Sequence, residues 1–295
     1  MNDHSRQIFY STPIFRAGRI NKTMNSKQKT PTGTVLGKPI AHGRTADIYA
    51  WQDDNILKLF HDWFDLDSIK YEAGLAQAVQ DSGLPVPKVG EIIQVDGHNG
   101  LIYQRVTGHS MMEALHRAPW MLFHYAHRQA ALHAQMHSRS IGIHLPSQHQ
   151  RLENKILHAN ALPTQFRSAI VTSLNTLTDG NRICHGDFHP GNILLTGRAE
   201  VVIDWIDATL GNPLADVARS SILALGAAAT SQIPNPFMKA IIRLFHDAYI
   251  RHYFDLCPGG EIEFRSWLPV VAAARLSEGI PELETWLVAL AHRGL

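Results

Sequence analysis

Two short apolar runs, Ile193-Leu194-Leu195 and Val201-Val202-Ile203, flank a polar segment that contains Gly197. β-Branched and aliphatic triplets separated by a glycine-bearing polar stretch read as a β-hairpin. An antiparallel hairpin returns its open ends to one place, so Asn192, just before the first strand, is expected close to Asp204, just after the second. One amide oxygen and one carboxylate form a small, hard donor set. Such a set suits Mg²⁺ completed by water and phosphate oxygens better than an all-protein cage. Upstream, His185-Gly186-Asp187-Phe188-His189-Pro190-Gly191-Asn192 puts Asp187 five residues before Asn192 on a tight loop, free to face an incoming hydroxyl as base or orienter. The same residue types also cap turns and end strands. The weight therefore rests on the second aspartate arriving at hairpin distance.

The spacing HxDxxxxN, followed by an apolar strand that ends in Asp204, matches the catalytic loop and metal aspartate of protein kinases. With Ile203-Asp204-Trp205 it resembles the signature of the aminoglycoside phosphotransferase and choline kinase family of small-molecule kinases. The resemblance extends over Ile206-Asp207 and the run Gly211-Asn212-Pro213-Leu214-Ala215-Asp216-Val217-Ala218, departing at Asn212, where the family more often carries an acid. It implies an α+β, protein-kinase-like, two-lobed fold: a small antiparallel β-sheet with one helix, then a larger, mostly helical lobe. The boundaries implied are a loose tail over residues 1–33, a nucleotide-clamping lobe over 34–106, a hinge over 107–109 and a catalytic and substrate lobe over 110–295. The implied chemistry is transfer of a phosphoryl group from ATP, with GTP left open, to the hydroxyl of a small molecule. By the same resemblance Asp187 serves the hydroxyl, Asn192 and Asp204 hold Mg²⁺, His185 anchors the loop and Asp216 braces it from a helix start. An ordinary N-terminal cap near Pro213 is the alternative reading of Asp216. Asp207 is a candidate to touch the acceptor.

Residues 34–60 alternate as strands: Thr34 to Leu36, Thr45 to Trp51 and Ile56 to Phe60, with a polar turn at Asp53-Asp54-Asn55. Gly37 and Gly43 flank the first turn, where backbone can approach phosphates closely, although no GxGxxG is present. Lys58 lies between Leu57 and Leu59 inside an apolar strand, and a buried lysine needs a partner. Glu72, on a helix expected from Asp65 to Asp81, would give the lysine and helix-glutamate pair that holds α- and β-phosphates in kinases. Asp62 as partner, or a solvated edge position, are the alternatives. Two further strands are expected, Glu91 to Val95 and Leu101 to Val106, turning at Asn99-Gly100. The resemblance then implies that the backbone of Gln104 and Val106 binds the purine, with Tyr103 behind the base.

From Ser110 onward the pattern is helical, over Trp120 to Ser138, Met238 to Tyr253 and Leu268 to Leu276. Arg275 and Glu278 are candidates to face the acceptor or to form a solvated helix face. A net charge of +1 marks neither a nucleic-acid groove nor a membrane patch. No apolar run reaches the roughly 18 residues that span a bilayer, no secretory signal pattern opens the chain, and two cysteines, Cys184 and Cys257, suit a reducing compartment. A cytoplasmic protein is expected, with Met24 as an alternative start. Eighteen histidines motivate a rival metal-binding class: His133 and His137 lie four apart, and Cys184, His185 and His189 cluster. A nucleotide-binding protein without transferase activity is a second rival. Against it, Lys58, Glu72, Asp187, Asn192 and Asp204 are all in place. Residues 240–295 hold seven acids against five arginines, a poor trap for a polycation such as an aminoglycoside. Sugars, amino alcohols and hydroxylated metabolites remain as acceptor classes.

Overall fold

The computed structural model describes residues 36–294, apart from residues 44, 53 and 140–144. The expected tail, the alternative start at Met24 and the strand beginning at Thr34 lie outside the described residues. The described residues divide into two compact units: 36–108 together with Thr196–Ile206, and 109–195 together with 207–294.

The first unit is built on an antiparallel sheet of β1 (Ala41–His42), β2 (Ala46–Trp51), β3 (Asn55–Phe60), β4 (Val89–Val95) and β5 (His98–Gln104), in the order β1-β2-β3-β5-β4. Strand alternation decides its two faces. Leu57 and Leu59 of β3 pack with Trp51, Ile93 and Val95 on one side. Phe60 packs on the other side with Ala46, Leu101 and Ile69 of helix α1 (Leu66–Asp81). That helix starts where expected, capped by the Asp65 side chain accepting the Ser68 N–H at 2.8 Å. Its apolar face repeats at Ile69, Leu75, Ala76 and Val79.

One turn differs from expectation. The β4–β5 reversal is made by Asp96 and Gly97, both with positive φ, 49° and 85°, as a two-residue primed turn requires. Asn99 and Gly100 instead sit inside β5, paired with Gln94 and Ile93. The Asp-Gly dipeptide carries the same turn chemistry as Asn-Gly. Gly100 is needed for a different reason, since a Cβ there would come within 2.6 Å of the Leu57 side chain. The first unit also holds β9 (Glu200–Val202), whose Val202 N–H donates to Pro85 C=O at 2.9 Å.

The second unit is mostly helical. It comprises α2 (Met111–Arg117), α3 (Leu122–His137), α4 (Gln148–Leu157), α5 (Thr164–Leu174), α6 (Pro213–Ala229), α7 (Pro236–Leu256), α8 (Glu261–Arg275) and α9 (Pro281–Ala291). Helix α2 begins with a reciprocal capping box between Ser110 and Glu113. Helix α3 packs on α7, α6 packs on α7 and α8, and α8 also meets α4 and α9. They enclose one core that includes Ala126, Ile170, Ile222, Tyr249, Trp267 and Leu287. Short strands complete the unit: β6 (His109–Ser110) pairs with β8 (Ile193–Leu195), and β7 (Arg182–Cys184) with β10 (Thr209–Gly211), both antiparallel. Both strands of the expected hairpin exist, β8 and β9, joined by a turn in which the Thr196 N–H donates to Ala199 C=O at 3.0 Å. No described helix is long and apolar enough to cross a membrane.

Candidate functional site

The loop between β7 and β8 carries the HGD sequence and is held from below by one carboxylate. Asp216, in the first turn of α6, accepts the N–H of His185 at 2.6 Å and of Gly186 at 2.8 Å. Its Oδ2 also faces Nε2 of His133 at 3.1 Å and Nε2 of His137 at 3.3 Å. The other nitrogens of those rings, both Nδ1, meet the hydroxyls of Tyr249 at 2.6 Å and Tyr253 at 2.8 Å. The tautomers follow: Nε2–H donates to the carboxylate and Nδ1 accepts from tyrosine. Burial, and then neighbouring His137, push the His133 pKa down to about 3, so its ring is neutral. Burial opposes ionisation of Asp216, but hydrogen bonds from both histidines outweigh it and hold the carboxyl well below its usual range.

On this base the loop makes a forced turn. Gly186 has φ of 79°, and a Cβ there would meet the Asp207 carbonyl oxygen at 2.6 Å, so only glycine fits. The Asp187 N–H donates to His185 Nδ1 at 3.2 Å. The Asn192 amide nitrogen donates to Asp187 C=O at 3.0 Å and to Asp187 Oδ2 at 3.3 Å. His189 Nε2 lies 3.5 Å from the same Oδ2. Asp187 is buried, and its Oδ1 has no hydrogen-bond partner among the described residues.

Beside this loop, on α6, α4 and the end of α8, lies a buried ionic cluster. Arg219 donates from Nε to Gly186 C=O at 3.0 Å, and its Nη2 lies 2.8 Å from Glu278 Oε1 and 3.8 Å from Asp187 Oδ1. Glu278 also pairs with Lys155 at 3.4 Å and Arg275 at 3.3 Å, while Arg151 reaches Asp207 at 3.4 Å. Burial opposes the charge on Glu278, yet Arg219, Arg275 and Lys155 hold its pKa down to about 2. These side chains line a cavity of about 50 Å³ that also borders Gly186 and Asp216.

In the other unit, Lys58 points to the α1 face of the sheet, opposite Leu57 and Leu59. Its Nζ donates to Glu72 Oε1 at 2.7 Å, and the Tyr103 hydroxyl donates to the same oxygen at 3.1 Å. Burial works against the Lys58 ammonium, but Glu72 and then Asp204 outweigh it and raise its pKa. Burial, with Glu72 next, pushes the Tyr103 phenol well above its usual value. Asp204 takes a left-handed φ of 65°, a backbone state uncommon outside glycine and associated with functional turns. Trp205, next to it, folds back to donate its indole N–H to Val202 C=O at 3.0 Å.

The sequence candidates thus sort into three groups: Asp187, Asn192, His185 and Asp216 around the loop; Asp207, Arg275 and Glu278 on one cavity; Lys58, Glu72 and Asp204 in the first unit. Arg275 and Glu278 are buried rather than forming a solvated helix face, because each neutralises part of the other's charge inside the helical packing. Asp62, the alternative partner of Lys58, pairs with His98 at 3.0 Å instead. The Gln104 N–H is spent on Lys88 C=O at 2.8 Å, and Val106 is half-buried just beyond β5. Gly43 uses its N–H on Ala46 C=O inside the β1–β2 turn, so this glycine shapes the turn and does not aim its own N–H at a ligand. His133, His137 and Asp216 do come within metal-ligand range of one another. The metal-binding expectation is nonetheless disfavoured, because the ring nitrogens are already matched to a carboxylate and two hydroxyls. Arg151, Lys155 and Arg219 were not singled out in the sequence. The available signal was their spacing, four apart on α4 and three after Asp216 on α6.

No curated protein matches the sequence significantly. Among solved structures, a thermostable mutant of aminoglycoside phosphotransferase APH(4)-Ia aligns with TM-score 0.59 at 14% identity, covering 88% of this chain and 95% of that one. The amicoumacin kinase hAmiN, solved with AMP-PNP, Ca²⁺ and Ami, aligns with TM-score 0.56 at 15% identity over 91% and 84%. A streptomycin–ATP–APH(2")-IIa ternary complex aligns with TM-score 0.54 at 14% identity over 88% and 91%. At such identities the likeness establishes the fold, a small antiparallel sheet joined to a mostly helical remainder. The model of the phosphotransferase enzyme family matches residues 37–256, most of the chain, and the protein belongs to that family.

Proposed function

We propose that this protein transfers the γ-phosphoryl group of ATP to a hydroxyl of a small molecule. The observation that carries the reading is the Asp187 carboxylate. One oxygen is fixed by Asn192 and the other is left without a hydrogen-bond donor, on a loop whose backbone is pinned by Asp216. A carboxylate oriented by one oxygen and without a hydrogen-bond donor at the other has a lone pair left to accept a hydroxyl proton. In the transfer, the bond from γ-phosphorus to the bridging oxygen breaks, a bond to the acceptor oxygen forms, the hydroxyl proton passes to Asp187 and ADP leaves. Lys58, held by Glu72, fixes the phosphates, and the Gln104 carbonyl and Val106 serve the base. Because the transition state is loose, positioning and charge neutralisation supply most of the rate.

The donor set fits Mg²⁺. The Asn192 nitrogen is committed to Asp187, so its oxygen is the ligand atom, and Asp204 adds a carboxylate. When bound, the ion would neutralise charge on the phosphate oxygens. The relatives' complexes with ATP or AMP-PNP, one of them with Ca²⁺, support a nucleotide and a divalent ion for this chain as well.

The test is Asp187→Asn. Turnover, read as ADP release with a panel of hydroxyl compounds, should fall about 10²- to 10⁴-fold, with nucleotide affinity retained. Undiminished turnover in that variant would remove Asp187 from its role.

A further inference from the structure

The cavity beside the catalytic loop is unusual in its charge. Four cations, Arg151, Lys155, Arg219 and Arg275, meet four acids, Asp187, Asp207, Asp216 and Glu278, all with side chains at most 15% exposed. Buried ions ordinarily occur in matched sets; this set balances in charge but not in hydrogen bonds. The shortfall has a location. Arg275 is 3% exposed and borders the cavity, and its Nε has no hydrogen-bond partner among the described residues. At about 50 Å³ the cavity exceeds the roughly 10–15 Å³ that one water needs. Burial, and then crowding by Arg219, push the Arg275 pKa down to about 10.

The cluster is tied to the reacting group. Arg219 lies 3.8 Å from Asp187 Oδ1 and holds the Gly186 carbonyl, so one side chain links the cavity it lines to the carboxylate that would serve the hydroxyl. We propose that the acceptor carries an anionic group, a carboxylate or a phosphate, which docks on Lys155, Arg219 and Arg275 while its hydroxyl faces Asp187. This rests on the phosphotransferase reading and narrows it. An aminoglycoside, a polycation, is the wrong class for such a surface. Arginine forks recognise carboxylate and phosphate oxygens with two parallel bonds, which fixes the orientation of an acceptor as well as its affinity.

The experiment compares matched acceptors that share a hydroxyl and differ in charge: hydroxy acids, sugar phosphates, neutral sugars, and amino alcohols with aminoglycosides. Anionic acceptors should lead in kcat/KM by at least about tenfold, the order expected for one charge-assisted hydrogen bond, and the hydroxy-acid and sugar-phosphate arms tell carboxylate from phosphate. Lys155→Met should raise KM for the anionic acceptor about tenfold with nucleotide Kd held, and Lys155→Arg should restore it. Independently of turnover, inorganic phosphate or acetate should raise the Tm of the intact protein and do so less in Lys155→Met. Neutral or cationic acceptors that match the anionic ones, or a Tm indifferent to both anions, would overturn the proposal and leave the kinase reading standing. ATP turnover unaffected by Asp187→Asn would sink the kinase reading instead, and an anion-dependent Tm would still stand.

Discussion

Two buried polar networks share helix α6, three residues apart, and they are built on opposite terms. Around Asp216 every polar group is matched: two backbone N–H groups, two imidazoles and, behind them, two tyrosine hydroxyls. Around Arg219 the matching is incomplete, with a guanidinium nitrogen on Arg275 and a buried carboxylate oxygen on Asp187 that make no hydrogen bond among the described residues. A saturated network locks a shape. An unsaturated one at the same depth costs stability and stands ready for a ligand. The difference separates the part of the second unit that holds the loop from the part that, on the proposed reading, would meet a substrate.

The largest effect should come from breaking the saturated side. Asp216→Ala leaves two histidines and two loop N–H groups without their acceptor, and by the cost of orphaning one member of a buried pair should lose about 3–5 kcal/mol in denaturant unfolding. No added anion should recover it. Glu278→Gln keeps an oxygen acceptor but removes the charge that holds three cations, for about 1–3 kcal/mol. Here inorganic phosphate should recover part of the loss, and equal phosphate rescue of both variants would erase the distinction between the networks.

A pH titration sharpens the same contrast. His133 is held at about 3 when folded against an ordinary 6.5, so the unfolded chain binds the extra proton between those values. Its contribution is therefore intact above pH 6.5 and is lost as pH falls towards 3, by up to about 1.4 kcal/mol per pH unit. Replacing the histidine by glutamine should flatten that slope. The smallest effect expected is Tyr253→Phe, which removes one hydroxyl from His137 Nδ1 and should cost about 1 kcal/mol. A loss above that of Asp216→Ala would place the anchor of the network on α7 instead of α6.

Much of the local structure was legible because it is written in short-range chemistry. Lys58 between two leucines demanded a partner, and Glu72, fourteen residues on, supplied it. The strands β8 and β9 followed from two apolar triplets, and α1 from its cap and its stripe. The Asp96-Gly97 turn was missed because a second dipeptide of equal turn propensity, Asn99-Gly100, lay three residues further on. Position-specific packing, here Gly100 against Leu57, decided between them. The ionic cluster was illegible for a different reason. Its members come from α4, α6 and α8, and charge at separations of a hundred residues shows as composition only. A count over residues 240–295 gave near balance but missed most of the cluster, which draws Arg151, Lys155 and Arg219 and also Asp187, Asp207 and Asp216 from outside that window.

The substitution of an amide for the family's more usual acid at Asn212 has an explanation nearby. Its nitrogen donates both to Thr178 C=O at 2.8 Å and to the Glu263 carboxylate at 3.0 Å, while its oxygen accepts the Leu214 N–H. An aspartate at this place would have no hydrogen to give, and two like-charged groups would be left face to face. Positions 212 and 263 thus form a two-letter word. Reverting the first letter alone should be harmful, and changing Glu263 to glutamine along with it should make the reversion tolerable.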